Sequence, residues 1–94
     1  MDAVVLSFSE LLQDLRIGRE IEFSYQGKAY SITNDRYGNW NFYCDTDSKL
    51  LQCICPFEDK QTLLDFVKAQ RIEGTLLSEI FDQMLYDPDS ICIL

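Results

Sequence analysis

The sequence predicts an α+β fold: an N-terminal helix, an antiparallel meander of three or four strands, and two C-terminal helices packed on one face. Three observations carry this. The spacing of apolar residues changes from a helical period to strict alternation near residue 20, and back near residue 59. Turn residues separate the alternating segments. Strands and helices come in blocks rather than in alternation, which argues against a parallel βαβ sheet. With 94 residues, 47% of them apolar, the chain is sized for a single globular domain spanning 1–94 with one core.

The elements follow in order. In "SFSELLQDLRIG", Ser7 and Glu10 have the spacing of a capping box, and Phe8, Leu11, Leu12 and Leu15 form one apolar face. Arg16 suits the negative end of the helix dipole, and Gly18 suits its termination. "REIEFSY" then alternates, with Ile21, Phe23 and Tyr25 on the buried side. "QG" at 26–27 is a two-residue hairpin signal. The return strand "KAYSIT" turns Tyr30 and Ile32 inward, and "NDRYGN" makes a looser turn. "WNFYC" places Trp40, Phe42 and Cys44 on one face. "LLQCICPF" reads as a fourth strand ending at Pro56. Asp59 caps "KQTLLDFVKAQRI", with Leu63, Phe66 and Val67 inward and Gly74 as its stop. Thr75 caps "LLSEIFDQML", with Leu77, Ile80, Phe81 and Met84 as its buried stripe; Asp87-Pro88 ends it. The final "SICIL" is expected to dock, because a free apolar tail invites aggregation.

The four cysteines are the first candidates for chemistry. Alternation would point Cys53 and Cys55 to the same side, sharing the apolar face with Cys44 as small buried side chains. A Cys₄ zinc site using Cys44, Cys53, Cys55 and Cys92 lacks the paired-knuckle spacing that such sites use. A bridge between Cys53 and Cys55 would be badly strained. No metal and no cofactor is therefore expected.

Catalytic candidates are equally sparse. The chain has no histidine, which removes the commonest general base. It has no glycine-rich phosphate loop and no G-x-S-x-G elbow. The neighbouring carboxylates Glu20/Glu22 and Asp45/Asp47 read as solvated surface. The expectation is a protein that is not an enzyme.

Charge is the stronger signal. Sixteen acidic residues face eight basic ones, for a net charge of −8. No Lys or Arg follows Arg71, while Glu73, Glu79, Asp82, Asp87 and Asp89 do. This one-sign field opposes direct nucleic acid binding and anionic membranes, and attracts basic surfaces. Aromatics do interleave with basic residues between Arg19 and Trp40, as on a base-stacking platform. Most of them, however, fall on the inward parity of their strands. The run "AVVL" lacks a basic flank and is too short for a leader or a membrane span, so a cytoplasmic protein is expected.

"GREIEFSYQGKAYSI", residues 18–32, and "RIEGTLLSEIFDQM", residues 71–84, resemble a set of short acidic proteins of low-GC Gram-positive bacteria and their prophages. Members pair a G-R-E-I-E-F hairpin with an I-x-G-x-x-L-x-E-I helix. The resemblance covers roughly half the chain and implies a bacterial or phage context and a stand-alone domain. It assigns no catalytic residue.

The sequence thus points to a small acidic, non-enzymatic protein-binding module that inhibits a basic, nucleic-acid-acting partner. Phage anti-defence proteins and toxin-immunity proteins work by this logic. The expected contact residues are Glu79, Asp82, Asp87 and Asp89, with Tyr86 as an aromatic anchor. Two other readings are a structural domain whose acidity serves solubility and a cysteine-based metal binder. Self-association through a free sheet edge stays open.

Overall fold

The computed structural model describes residues 6–94. Of the "AVVL" run only Leu6 is among them.

Helix α1 spans Phe8–Arg16. Its capping box forms as expected: Ser7 Oγ accepts from the Glu10 N–H at 3.1 Å, and Glu10 Oε1 accepts from the Ser7 N–H at 3.3 Å. The helix ends in a Schellman motif. Gly18 takes φ +95°, its N–H donates to Leu15, and that of Arg19 donates to Asp14. A Cβ at Gly18 would meet the Phe57 ring at 3.2 Å, so this glycine answers both a backbone and a packing demand.

Strands β1 (Ile21–Tyr25), β2 (Lys28–Asn34), β3 (Asn39–Cys44) and β4 (Lys49–Pro56) form the expected antiparallel meander. Gln26 and Gly27 both have positive φ, +50° and +80°, the type I′ geometry that matches strand twist. Helix α2 spans Lys60–Ala69, capped by Asp59, which accepts from both the N–H and the hydroxyl of Thr62. It stops before Ile72. Arg71–Ile72 (β5) and Thr75–Leu76 (β6) form a small separate hairpin, with Glu73 and Gly74 at its turn. Gly74 is therefore a hairpin residue rather than a helix stop, and Thr75 is a strand residue rather than a cap.

Helix α3 is short, Leu77–Asp82. Its Schellman end has Met84 at φ +52°, with the Met84 N–H donating to Phe81 and that of Leu85 to Ile80. Met84, expected on the buried stripe, is exposed because the helix ends before it. A 3-10 helix follows at Pro88–Ser90, and Cys92–Ile93 forms β7.

Strand β7 pairs antiparallel with β1, so the sheet has five strands in the order β4-β3-β2-β1-β7. The docking expected of "SICIL" is thus met, and it makes the sheet one strand wider than a four-stranded meander. Ile21, Phe23, Tyr25, Tyr30, Ile32, Trp40, Phe42 and Cys44 line one face and are buried. All three helices pack there. Phe81 of α3 meets Phe23 edge-on at 5.0 Å between centroids, and Phe66 of α2 meets Phe42 at 6.0 Å. Leu11 and Leu15 of α1 complete the core.

Candidate functional site

Strand β4 departs from simple alternation. Cys55 pairs with Trp40 but Cys53 pairs with Asn41, leaving Ile54 as an extra residue; Leu51 is a second extra residue between Gln52 and Leu50. Each bulge reverses the facing of the residues beyond it. Cys53 and Cys55 therefore point to opposite faces, contrary to the shared face that alternation predicts. Cys55 is buried beside Trp40 and its thiol donates to the Asp59 carbonyl, whereas Cys53 is exposed. Burial, with Asp59 and Cys53 nearby, pushes the Cys55 thiol up from its ordinary pKa. Cys44 is buried and Cys92 exposed. Among the described residues no three His, Cys, Asp or Glu side chains gather in a metal-holding group.

The acidic residues singled out by sequence lie on α3 and on the segment that follows it. Helix α3, with Glu79 and Asp82, sits over β1. The 3-10 helix and β7 then run along the free edge of β1. The Asp87 N–H donates to Ser24 O at 2.8 Å, Ser90 Oγ accepts from the Ser24 N–H at 2.7 Å, and the Leu94 N–H donates to Glu20 O at 2.9 Å. Glu22 stands opposite Cys92. Pairing thus adds Glu20 and Glu22 to the segment carrying Asp87 and Asp89. Neither 20–25 nor 72–94 contains a Lys or Arg. Sequence spacing does not flag Glu22, because only the β1–β7 pairing brings it there.

Two of the expected contact carboxylates also hold the fold. Asp82 Oδ1 accepts from the Phe8 N–H at 2.9 Å, tying α3 to the first turn of α1. Asp87 Oδ1 accepts from the Asp89 N–H and caps the 3-10 helix. Glu79 and Asp89 are exposed. Tyr86 is not an exposed anchor. It is 2% exposed, its ring lies 5.1 Å from that of Phe81, and its hydroxyl accepts from the Leu6 N–H at 3.0 Å. The long-range pull of the core decides this: Tyr86 ties the C-terminal segment to Leu6, just ahead of the Ser7 cap of α1. Met84, Leu85 and Leu94 are the exposed apolar side chains of this quarter.

The other side of the molecule holds a cleft of about 390 Å³, between the β2–β3–β4 end of the sheet and the β5–β6 hairpin. Lys28, Lys49 and Arg71 line it, over Tyr30, Phe42 and Cys44. Lys28 pairs with Asp47 at 2.9 Å. No sequence spacing signals this cleft, because its cations come from three separate elements.

Comparison with protein-family models, with curated proteins and with solved structures gives no match. No helix among the described residues is long and apolar enough to cross a membrane.

Proposed function

We propose that this protein is a non-enzymatic, acidic protein-binding module, and that its docking surface is the α3–β7–β1 side. The observation that carries the reading is the lie of the C-terminal segment along β1. It sets Asp87 and Asp89 beside a strand whose one charged residue, Glu22, has the same sign, with Glu20 just before it bonded to the Asn34 N–H. Such a border lowers the energy of an approaching basic surface and speeds its encounter. Met84, Leu85 and Leu94 supply apolar contacts that charge alone does not, taking the part first expected of Tyr86. The partner is a protein with a basic surface, of the kind that itself handles nucleic acid, and binding blocks that surface. The resemblance of residues 18–32 and 71–84 to short acidic prophage proteins supports a bacterial or phage setting for this activity.

The test compares two variants of equal charge. Glu22→Gln with Asp89→Asn alters the border; Glu58→Gln with Asp65→Asn alters the β4–α2 side by the same amount. Both are used to capture partners from host lysate, beside the unaltered protein. A basic protein held by the wild type and the second variant, and lost from the first, supports the border. Equal capture by all three contradicts it.

A further inference from the structure

The cleft beneath the β5–β6 hairpin has features that the acidic border does not use. We propose that it is a binding site for a small molecule presenting an oxyanion, a phosphate ester or a carboxylate, gripped by Lys49 and Arg71. Its volume, about 390 Å³, falls within the range of small-ligand pockets. The chain is strongly acidic, yet three of its eight basic residues converge here.

The partners of these cations differ. Lys28 is engaged by Asp47. Among the described residues the ion pairs are that one and Arg19–Asp14, so neither Lys49 nor Arg71 has a carboxylate within ion-pair distance. Arg71 donates Nη1 to Gly74 O at 3.0 Å, which fixes the guanidinium against its own hairpin and leaves its remaining N–H donors without a partner among the described residues. A planar guanidinium held in this way is preorganised to meet two oxygens of one anion. Tyr30 adds a hydroxyl with no hydrogen-bond partner among the described residues. Burial above all, with Cys44 and Glu73 nearby, raises its pKa.

The cleft is not uniformly positive. Asp47 stands in it, but its carboxylate is engaged by Lys28 and by the Cys44 thiol. Glu73 lies on the hairpin turn at its rim. Three cations against two carboxylates leave a local excess of one positive charge inside a molecule of net −8. That balance predicts weak, salt-sensitive binding. It also predicts selection of compact anions over polyanions, which the surrounding field repels.

The experiment is a two-dimensional amide NMR titration of the full chain at constant ionic strength, with inorganic phosphate in one arm and acetate in the other. The expected result is saturable shifts at Lys28, Lys49 and Arg71–Glu73 with at least one of the two. The stronger arm identifies phosphate or carboxylate as the group recognised. Arg71→Gln should weaken binding about tenfold or more, the usual contribution of a hydrogen bond to a charged group. Lys49→Gln, at an exposed residue in no ion pair, checks the result without touching the hairpin. The proposal is overturned if neither anion gives saturable shifts in the cleft, or if both variants bind as the wild type does. The border variant, Glu22→Gln with Asp89→Asn, leaves this site intact, so each proposal can fail without the other.

Discussion

The extra residue at Ile54 gives two neighbouring thiols opposite environments. Cys55 lies against Trp40 in the core, and Cys53 faces solvent. Thiol labelling of the native protein is therefore expected to modify Cys53 and Cys92 quickly. Cys44 and Cys55 should react only after unfolding, as peptide mapping of the labelled chain would show. Asp35 is a second residue with a clear demand on it. Its carboxylate accepts from the Asn41 side chain at 2.8 Å and from the Asn39 and Tyr37 N–H groups, and these bonds, the Asn41 bond first, lower its pKa. Asp47 is lowered likewise, by Lys28. Both groups bind protons more weakly folded than unfolded. Their contribution is fully present above the ordinary carboxylate range and is lost as pH falls through the folded values. Acid unfolding followed by circular dichroism should show stability flat near neutrality and falling in the acid range. Asp35→Asn should shrink that fall.

Residue-level oddities also mark where the chain can be improved. Met84 holds φ +52° in the Schellman end of α3 while its side chain is exposed. Left-handed backbone costs an L-residue with a Cβ about 1 kcal/mol, and glycine almost nothing. Met84→Gly is expected to raise stability by up to about that amount. Lys60 is a contrasting case. Its ammonium is buried without a hydrogen-bond partner among the described residues, 3.9 Å from the Phe57 ring centroid and 5.0 Å from that of Trp40. The aromatic faces offset part of its desolvation. Replacing the charge with a similar apolar shape, Lys60→Met, should leave the melting temperature equal or higher; a drop would mean that the cation–π contact outweighs the desolvation.

At the scale of elements, the strongly periodic segments were readable and the short ones were not. The α1 face, the β1–β2 hairpin and the inward parity of Trp40, Phe42 and Cys44 follow from local spacing and turn chemistry alone. The β5–β6 hairpin was hidden because Gly74 reads equally well as a helix stop; Ile72, off the Leu63–Phe66–Val67 stripe, is buried by a two-residue strand instead. The bulges of β4 leave no composition signal, because both extra residues are apolar like their neighbours. They suit an edge strand, where irregular pairing discourages a second chain from adding on. Strand β7 is the element whose removal tests the most. Its two residues close the far edge of the sheet, and Ser90 and Asp87 bond to Ser24 just before it. Deleting residues 90–94 is expected to lower the melting temperature by several degrees, about 1–2 kcal/mol for the hydrogen bonds and partly buried Ile91 and Ile93 lost. An unchanged melting temperature would mean that the strand contributes nothing.

For the whole molecule, two charged features stand at different strands of one sheet, with Asp47 and Glu73 among the cations of the cleft. The β1–β7 edge and α3 carry acids supplied by two distant parts of the chain; the β2–β4 end gathers cations over a cleft. The acidic half was legible as a run without Lys or Arg after Arg71. The addition of Glu20 and Glu22, the burial of Tyr86 and the cleft itself depend on which strands become neighbours, a non-local choice that spacing does not report. The most direct measurement of the proposed docking is hydrogen–deuterium exchange of the protein alone and mixed with any basic protein that the capture experiment retains. Slowed exchange in the complex over residues 20–25 and 84–94, with β4 and the cleft unchanged, is the result predicted. Protection confined to β4 or to the β5–β6 hairpin would contradict it.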